Sequence, residues 1–156
     1  MLLDLLYKIF RPTVKVLKLH QDAQVPQYKT EGSAGLDLHA YTEGVTIAIQ
    51  AGETILVKTG IAVGLPKRHE LQVRPRSGHA LKAGLTVLNS PGTVDTDYIG
   101  EIGVILHNTS DTPFIINHGD RIAQAVIAKY EQPRLKLVDK LKKTARGANG
   151  FGSTKR

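Results

Sequence analysis

Cysteine and tryptophan are absent from the 156 residues, methionine occurs once, and aromatic side chains make up 5% of the chain. Without Cys there is neither a disulfide framework nor a thiolate zinc site. The six His residues occur singly, with no His-Glu-x-x-His motif and no close pair, so they read as surface or hydrogen-bonded histidines, not as metal ligands. No apolar run approaches the ~20 residues of a membrane-spanning helix, and no membrane partner is expected. Residues 1–10, Met-Leu-Leu-Asp-Leu-Leu-Tyr-Lys-Ile-Phe, are interrupted by Asp4 and Lys8 and lead to no small-residue cleavage site. A secretory signal is therefore not expected, and a soluble cytoplasmic protein is.

What is present suits one domain: 41% apolar content over this length is enough for a single core. The formal charge of +7 is unevenly placed. Residues 133–156 hold eight Lys/Arg against one Asp, whereas residues 1–132 hold thirteen of each sign. A neutral body with a basic tail points to a compact anion such as a polyphosphate. Direct nucleic-acid binding, which calls for a basic face on the fold itself, is not expected.

Three parts follow from the pattern along the chain. Residues 1–12 form an N-terminal extension, in which Leu2, Leu5, Leu6 and Ile9 suit one face of a short helix, with an extended segment as the alternative. Residues 13–132 carry short β-type runs at Val14–Leu19, Leu36–Tyr41, Val45–Ile49, Thr54–Lys58, Ile61–Gly64, Glu70–Val73, Leu85–Leu88, Ile102–Asn108, Phe114–Ile116 and Ile122–Tyr130. Breaks fall at Gly32, Gly44, Gly52, Pro66, Pro91-Gly92, Pro113 and Gly119. Such spacing predicts an all-β antiparallel jelly roll or sandwich, with one short internal helix over Ser77–Ala83 capped by Ser77. Residues 133–156 form a C-terminal arm, in which Leu135, Leu137, Val138 and Leu141 suit a strand or docking segment, followed by a mobile Gly-rich tail.

The chemistry gathers in a few segments. Asn89 to Glu101 places Pro91-Gly92, Asp95, Asp97 and Tyr98 within a dozen residues, which predicts a hairpin forming a pocket wall. Asp97 reads as holding that hairpin by local hydrogen bonds. Arg76-Ser77-Gly78 offers a guanidinium, a hydroxyl and free amides, all suited to phosphate oxygens. In Gly119-Asp120-Arg121-Ile122-Ala123-Gln124, Asp120 and Arg121 read as a turn salt bridge, while Gln124 sits in an apolar strand and needs a partner. In the tail, Gly147, Gly150 and Gly152 permit close backbone approach, with Arg146, Ser153 and Thr154 as donors. Phe151, alone among glycines, suits base stacking. The tail is not a Walker A loop, because Ser-Thr follows Gly152 where Lys-Ser/Thr is required.

Taken in order, Ala34-Gly-Leu-Asp-Leu38, Arg76-Ser-Gly78, Asn89 through Tyr98, Gly119 through Gln124 and Arg146 through Thr154 resemble the five motifs of the trimeric dUTPases, the deoxyuridine triphosphate nucleotidohydrolases. The resemblance runs from about Val14 to the C-terminus and departs at Ala148-Asn149 and at the closing Lys155-Arg156. It implies a β-clip jelly-roll homotrimer whose active sites are shared between subunits and closed by the tail. It also implies Mg²⁺-assisted hydrolysis of dUTP to dUMP and pyrophosphate, keeping uracil out of DNA and supplying dUMP for thymidylate synthesis. Under it Asp95 activates the water attacking the α-phosphate, and Tyr98 supports the deoxyribose. Asn89 with the backbone of Gly92, Thr93 and Val94 reads uracil, and Phe151 stacks on it. Arg76, Ser77, Gly78 and Gln124 hold the α- and β-phosphates, Arg146, Gly152, Ser153 and Thr154 belong to the remaining phosphate, and Asp37 stands near the metal through water. A dCTP deaminase-like relative and a trimeric nucleotide-responsive interaction protein are the alternatives.

Overall fold

The structure, a computed structural model, describes residues 11–150. The helix expected within residues 2–10 and the tail residues Phe151, Gly152, Ser153 and Thr154 lie outside the described residues. Ten strands and one helix occur among the described residues: β1 (Lys15–Lys18), β2 (Gly35–His39), β3 (Ile47–Ile49), β4 (Thr54–Gly64), β5 (His69–Arg74), α1 (Ser77–Ala83), β6 (Leu85–Val87), β7 (Gly92–Val94), β8 (Glu101–Asn108), β9 (Phe114–Ile116) and β10 (Arg121–Lys129). The all-β expectation with one short internal helix holds. Every strand pair is antiparallel, in sheets ordered β1-β4-β8-β6, β2-β10-β5-β7 and β3-β9. No pairing closes these into a barrel among the described residues. No helix among them is long and apolar enough to cross a membrane.

Alternation builds the core. β8 alternates half-buried and buried residues along its whole length, placing Ile102, Val104 and Leu106 inward beside Val57 of β4 and Leu85 and Val87 of β6. The second four-stranded sheet answers with Leu38, Leu71, Val73, Ile122, Ala123 and Ala125, forming one continuous apolar cluster.

Two expectations are corrected here. Thr54–Lys58 and Ile61–Gly64 are one 11-residue strand, because Gly60 does not end it but bulges it, the pairing with β8 shifting between Lys58 and Ala62. Gly60 has φ +69°, and a Cβ there would lie 2.7 Å from the Ala23 methyl, so a side chain is excluded on both counts. The bulge is tied to β8 by the Gly60 amide, which donates to Glu101 Oε1 at 2.8 Å, and by the Thr59 hydroxyl, which donates to the Ile102 carbonyl at 2.6 Å. Second, Asn89 to Glu101 is not a hairpin. β7 pairs with β5 in one sheet while β8 pairs with β4 and β6 in the other. The segment between them therefore crosses from sheet to sheet, since the apolar faces before and after it serve different layers.

Past Pro133 the arm forms no strand among the described residues, and Leu135, Leu137 and Leu141 are 96%, 99% and 85% exposed.

Asn108, at 0% exposure, is the main polar tie inside the core. Its Nδ2 donates to the carbonyls of Ile49 (3.0 Å) and Thr112 (2.8 Å), and its Oδ1 accepts from the amide (3.0 Å) and hydroxyl (2.8 Å) of Ser110. Asn108→Leu strands several of these groups at a cost of about 1–3 kcal/mol each, so we expect a loss of about 3 kcal/mol or more in urea unfolding. A loss well below ~1 kcal/mol would mean that the 108–112 turn finds other partners.

Candidate functional site

The register of the second sheet sets Asp37 of β2 opposite Gln124 of β10, and Gln124 opposite Arg74 of β5. Beyond Arg74 the chain turns through Pro75 into Arg76 and α1, which brings Arg76 back over this row. Its Nε lies 3.4 Å from Asp37 Oδ1, while Arg121 Nη1 donates to Asp37 Oδ2 at 3.2 Å. The Asp37 side chain is only 12% exposed, and the two guanidiniums offset the cost of burying a carboxylate there. Two guanidiniums around one carboxylate leave a net positive charge, with donor hydrogens unspent. Gln124 finds the partner its apolar strand demanded: Nε2 donates to the Pro75 carbonyl at 2.9 Å, bracing the turn that carries Arg76.

Arg121 was missed as a member of this cluster. It makes no turn salt bridge with Asp120, whose Oδ2 instead accepts from the Asn117 amide at 2.7 Å. The reason is a register shift in β10 between Arg121 and Ala123. This bulge aims Arg121 at Asp37 in β2, 84 residues away in sequence. A Gly119-Asp120 turn before the strand was the only local signal, and it does not reveal a bulge. Ser77 also departs from expectation: it is the first helical residue, and Arg76 takes the N-cap position in extended conformation with no side-chain cap bond.

The Asn89–Glu101 segment begins on the free side of β5. Gly92 faces Val73 and Val94 faces Leu71, and the Thr96 hydroxyl continues the attachment by donating to the His69 carbonyl at 2.7 Å, with the Tyr130 hydroxyl at 3.1 Å. A Cβ on Gly92 would lie 2.9 Å from Asn89 Nδ2, so the glycine is what lets the Asn89 amide lie against the strand. Thr93 is exposed and Val94 half-buried. Tyr98 donates its hydroxyl to the Glu101 carbonyl at 2.8 Å, hence to the residue that holds the β4 bulge. Asp95 is exposed and lines a cleft of about 490 Å³ with Glu70, Thr96, Asp97, Tyr130 and Gln132. Asp97 makes none of the local hydrogen bonds expected of it among the described residues; Thr96 does the holding.

Asp95 follows Val94, which pairs with Leu71, and it lines the same cleft as Glu70, at the start of β5. From Glu70 to Arg74 is four strand rises, about 13 Å, and Arg76 folds back over the row at the Arg74 end. The cationic cluster and the Asp95 segment thus occupy opposite ends of β5 within one chain. Arg146 joins neither: its Nε donates locally to the Asn149 carbonyl at 2.9 Å.

No group of three or more His, Asp or Glu capable of caging a metal occurs among the described residues, and both Asp37 oxygens are engaged by arginines. With both oxygens facing guanidiniums, Asp37 could meet a Mg²⁺ ion carried by a polyphosphate only through one of the waters that this strongly hydrated ion keeps.

A family model described as dUTPase matches residues 21–155. The chain belongs to the dUTPase family. Relatives named deoxyuridine 5'-triphosphate nucleotidohydrolase include one from Picosynechococcus sp., 52% identical over 141 residues, covering 90% of this chain and 97% of the relative. Another, from Treponema denticola, is 55% identical over 137 residues, with coverage of 88% and 94%. Among solved structures, a variant of the Staphylococcus bacteriophage 80alpha dUTPase with dUpNHpp aligns with a TM-score of 0.81 and 26% identity, over 90% of this chain and 97% of that one. The antiparallel dUTPase fold seen here is therefore shared with that enzyme.

One histidine in this dUTPase chain departs from the expected surface or satisfied state. His39 of β2 is 8% exposed and its Nδ1 has no partner among the described residues. Burial holds its imidazole below the ordinary value of 6.5; Asp37 works against this, while Lys29, Arg121 and Arg76 reinforce it. Because the unfolded chain takes up this proton more readily, stability is full above about pH 6.5 and is lost as the pH falls through the lowered folded value. Urea midpoints should drop on acidification from pH 7 to 5 by less in His39→Gln than in the parent; equal drops would place the acid sensitivity elsewhere.

Proposed function

We propose that this chain hydrolyses dUTP to dUMP and pyrophosphate, at sites completed only between subunits of a homotrimer. The observation that carries this reading is the separation along β5. One chain presents a cationic cluster at one end and an exposed carboxylate segment at the other, so neither can serve a common substrate until a second copy supplies its complement. The names of relatives at 52% and 55% identity and the dUTP analogue in the phage 80alpha enzyme support the substrate.

In this reading Arg76, Ser77, Gly78 and Gln124 take the α- and β-phosphates of the substrate. Hydrolysis of a polyphosphate needs an aligned water and cations over the phosphates. Asp95, exposed and in no salt bridge among the described residues, has the freedom to orient that water and accept its proton. Bound Mg²⁺ would neutralise phosphate charge, held near Asp37 through water. Among the described residues β7 is the edge of its sheet, so those amides and carbonyls along Gly92, Thr93 and Val94 that alternate away from β5 have no strand partner among them and suit uracil's fixed acceptor-donor-acceptor edge. Asn89 completes that edge, and Tyr98, fixed through its hydroxyl, offers its ring to the deoxyribose. Arg146, Gly152, Ser153 and Thr154 bring donors to the γ-phosphate and Phe151 a ring to the uracil, in a C-terminal arm and lid spanning residues 133–156. Residues 13–132 form the nucleotide-binding domain, and residues 1–12 an extension outside it.

The deciding experiment offers dUTP, dTTP, dCTP and UTP with Mg²⁺ and measures pyrophosphate. We expect release from dUTP alone; ammonia from dCTP, or silence with all four, would sink the reading. Asp95→Asn should lower turnover by about 10²- to 10⁴-fold while dUpNHpp still binds.

Shared sites make a separate prediction. Arg76→Ala and Asp95→Asn chains, each inactive alone, should regain about a quarter of parental activity when co-assembled at random, because a neighbour supplies the missing half. No recovery in verified mixed trimers would confine each site to one chain.

A further inference from the structure

α1 has little to hold it in place by itself. It is seven residues long, has no side-chain N-cap bond, no acidic residue in its first turn and no buried residue. Helices this short are unstable without tertiary support. Its C-terminal end is fastened: Gly84 adopts the left-handed conformation, and its carbonyl accepts from the amide (2.9 Å) and hydroxyl (2.7 Å) of Thr109. At the other end, where Arg76, Ser77 and Gly78 must meet the phosphates, Gln124 braces the turn before the helix, and the fastening within the helix is His79. Its Nε2 lies 2.7 Å from the Arg121 carbonyl, and its ring packs edge-on against Phe114, with centroids 5.4 Å apart and planes at 80°.

The chemistry of the contact fixes the proton. A carbonyl oxygen only accepts, so Nε2 must carry hydrogen, and it cannot at the same time accept from Arg76 Nη1, 3.1 Å away. His79 and Arg76 therefore share one acceptor: Arg76 Nη1 also donates to the Arg121 carbonyl, at 3.3 Å. That leaves the guanidinium bounded by Asp37 on one side and by the imidazole and carbonyl on the other.

We propose that His79 is a positioning residue for phosphate binding: by bonding the Arg121 carbonyl of β10 it locks the first turn of α1, and with it the Arg76 guanidinium, in place before the nucleotide arrives. This rests on the dUTPase reading for its substrate, but not for its geometry. Preorganisation of this kind removes an ordering cost from binding, so its loss should appear in affinity rather than in turnover.

The test compares His79→Phe, which keeps an aromatic ring beside Phe114 but lacks the donor, with His79→Gln, which returns an N–H at about the reach of Nε2. Calorimetric binding of pyrophosphate and of dUpNHpp is measured alongside kcat, KM and the thermal midpoint. We expect His79→Phe to weaken both ligands and raise KM by about three- to tenfold, the worth of one hydrogen bond, with kcat within about twofold and with His79→Gln near the parent. Unchanged pyrophosphate affinity in His79→Phe, or equal impairment in both variants, would overturn the role. Should His79→Phe fail to fold, His79→Asn takes its place, since its amide matches the reach of Nδ1 instead; His79→Gln and His79→Asn binding alike would again overturn the proposal. Pyrophosphate binding does not involve a base, so failure here is distinct from failure of the parent to cleave dUTP, which would strike the reading of the substrate alone.

Discussion

Across β2, β10 and β5 the backbone ladder sets Asp37 beside Gln124 and Gln124 beside Arg74, and the placement of the cationic cluster hangs on that register. A one-residue slip in an antiparallel pair sends every side chain to the opposite face. Asp37 would then lose Arg121, and Gln124 would lose the Pro75 carbonyl that steadies the turn into Arg76. Apolar alternation protects the register from below, because Leu38, Ala123, Ala125, Leu71 and Val73 on the same three strands are buried in the core. The polar row is held in line by the apolar one.

Bulges then adjust what the ladder alone would aim elsewhere. The shift in β10 turns Arg121 towards Asp37. The bulge at Gly60 presents an amide to Glu101, whose carbonyl anchors the Tyr98 hydroxyl. Each irregularity breaks a regular pairing and leaves a donor or side chain pointed at a functional segment. The short helix follows the same logic, since its rigidity comes from Thr109 and His79 at its two ends and not from its own sequence.

A single chain remains chemically divided. A positive cluster without a water-orienting carboxylate can bind an anion but has nothing to activate water. An exposed carboxylate with no cation paired to it repels a triphosphate. The proposed assembly joins the two, so that hydrolytic capacity and association of chains become one property. The largely exposed leucines of the arm have no apolar cover among the described residues of their own chain.

The all-β class, most strand positions and the helix over Ser77–Ala83 were legible in the sequence, because alternation, glycine and proline act through near neighbours. So were the chemical parts of the site, since a Pro-Gly turn beside Asp95 and Tyr98, or an Arg-Ser-Gly step, has a local chemical meaning. What the sequence could not determine was which strands pair. The Asn89–Glu101 segment looked like a hairpin because both flanks are strand formers, yet its halves enter different sheets. Arg121 looked tied to Asp120 because the two are adjacent, yet a bulge pairs it with Asp37. Nor could composition show that His39 is buried, with its Nδ1 unpartnered among the described residues. Local propensity is set by a residue and its neighbours, whereas register, bulges and the distance between Asp95 and Arg76 are set by contacts among distant segments, and only the tertiary structure decides those.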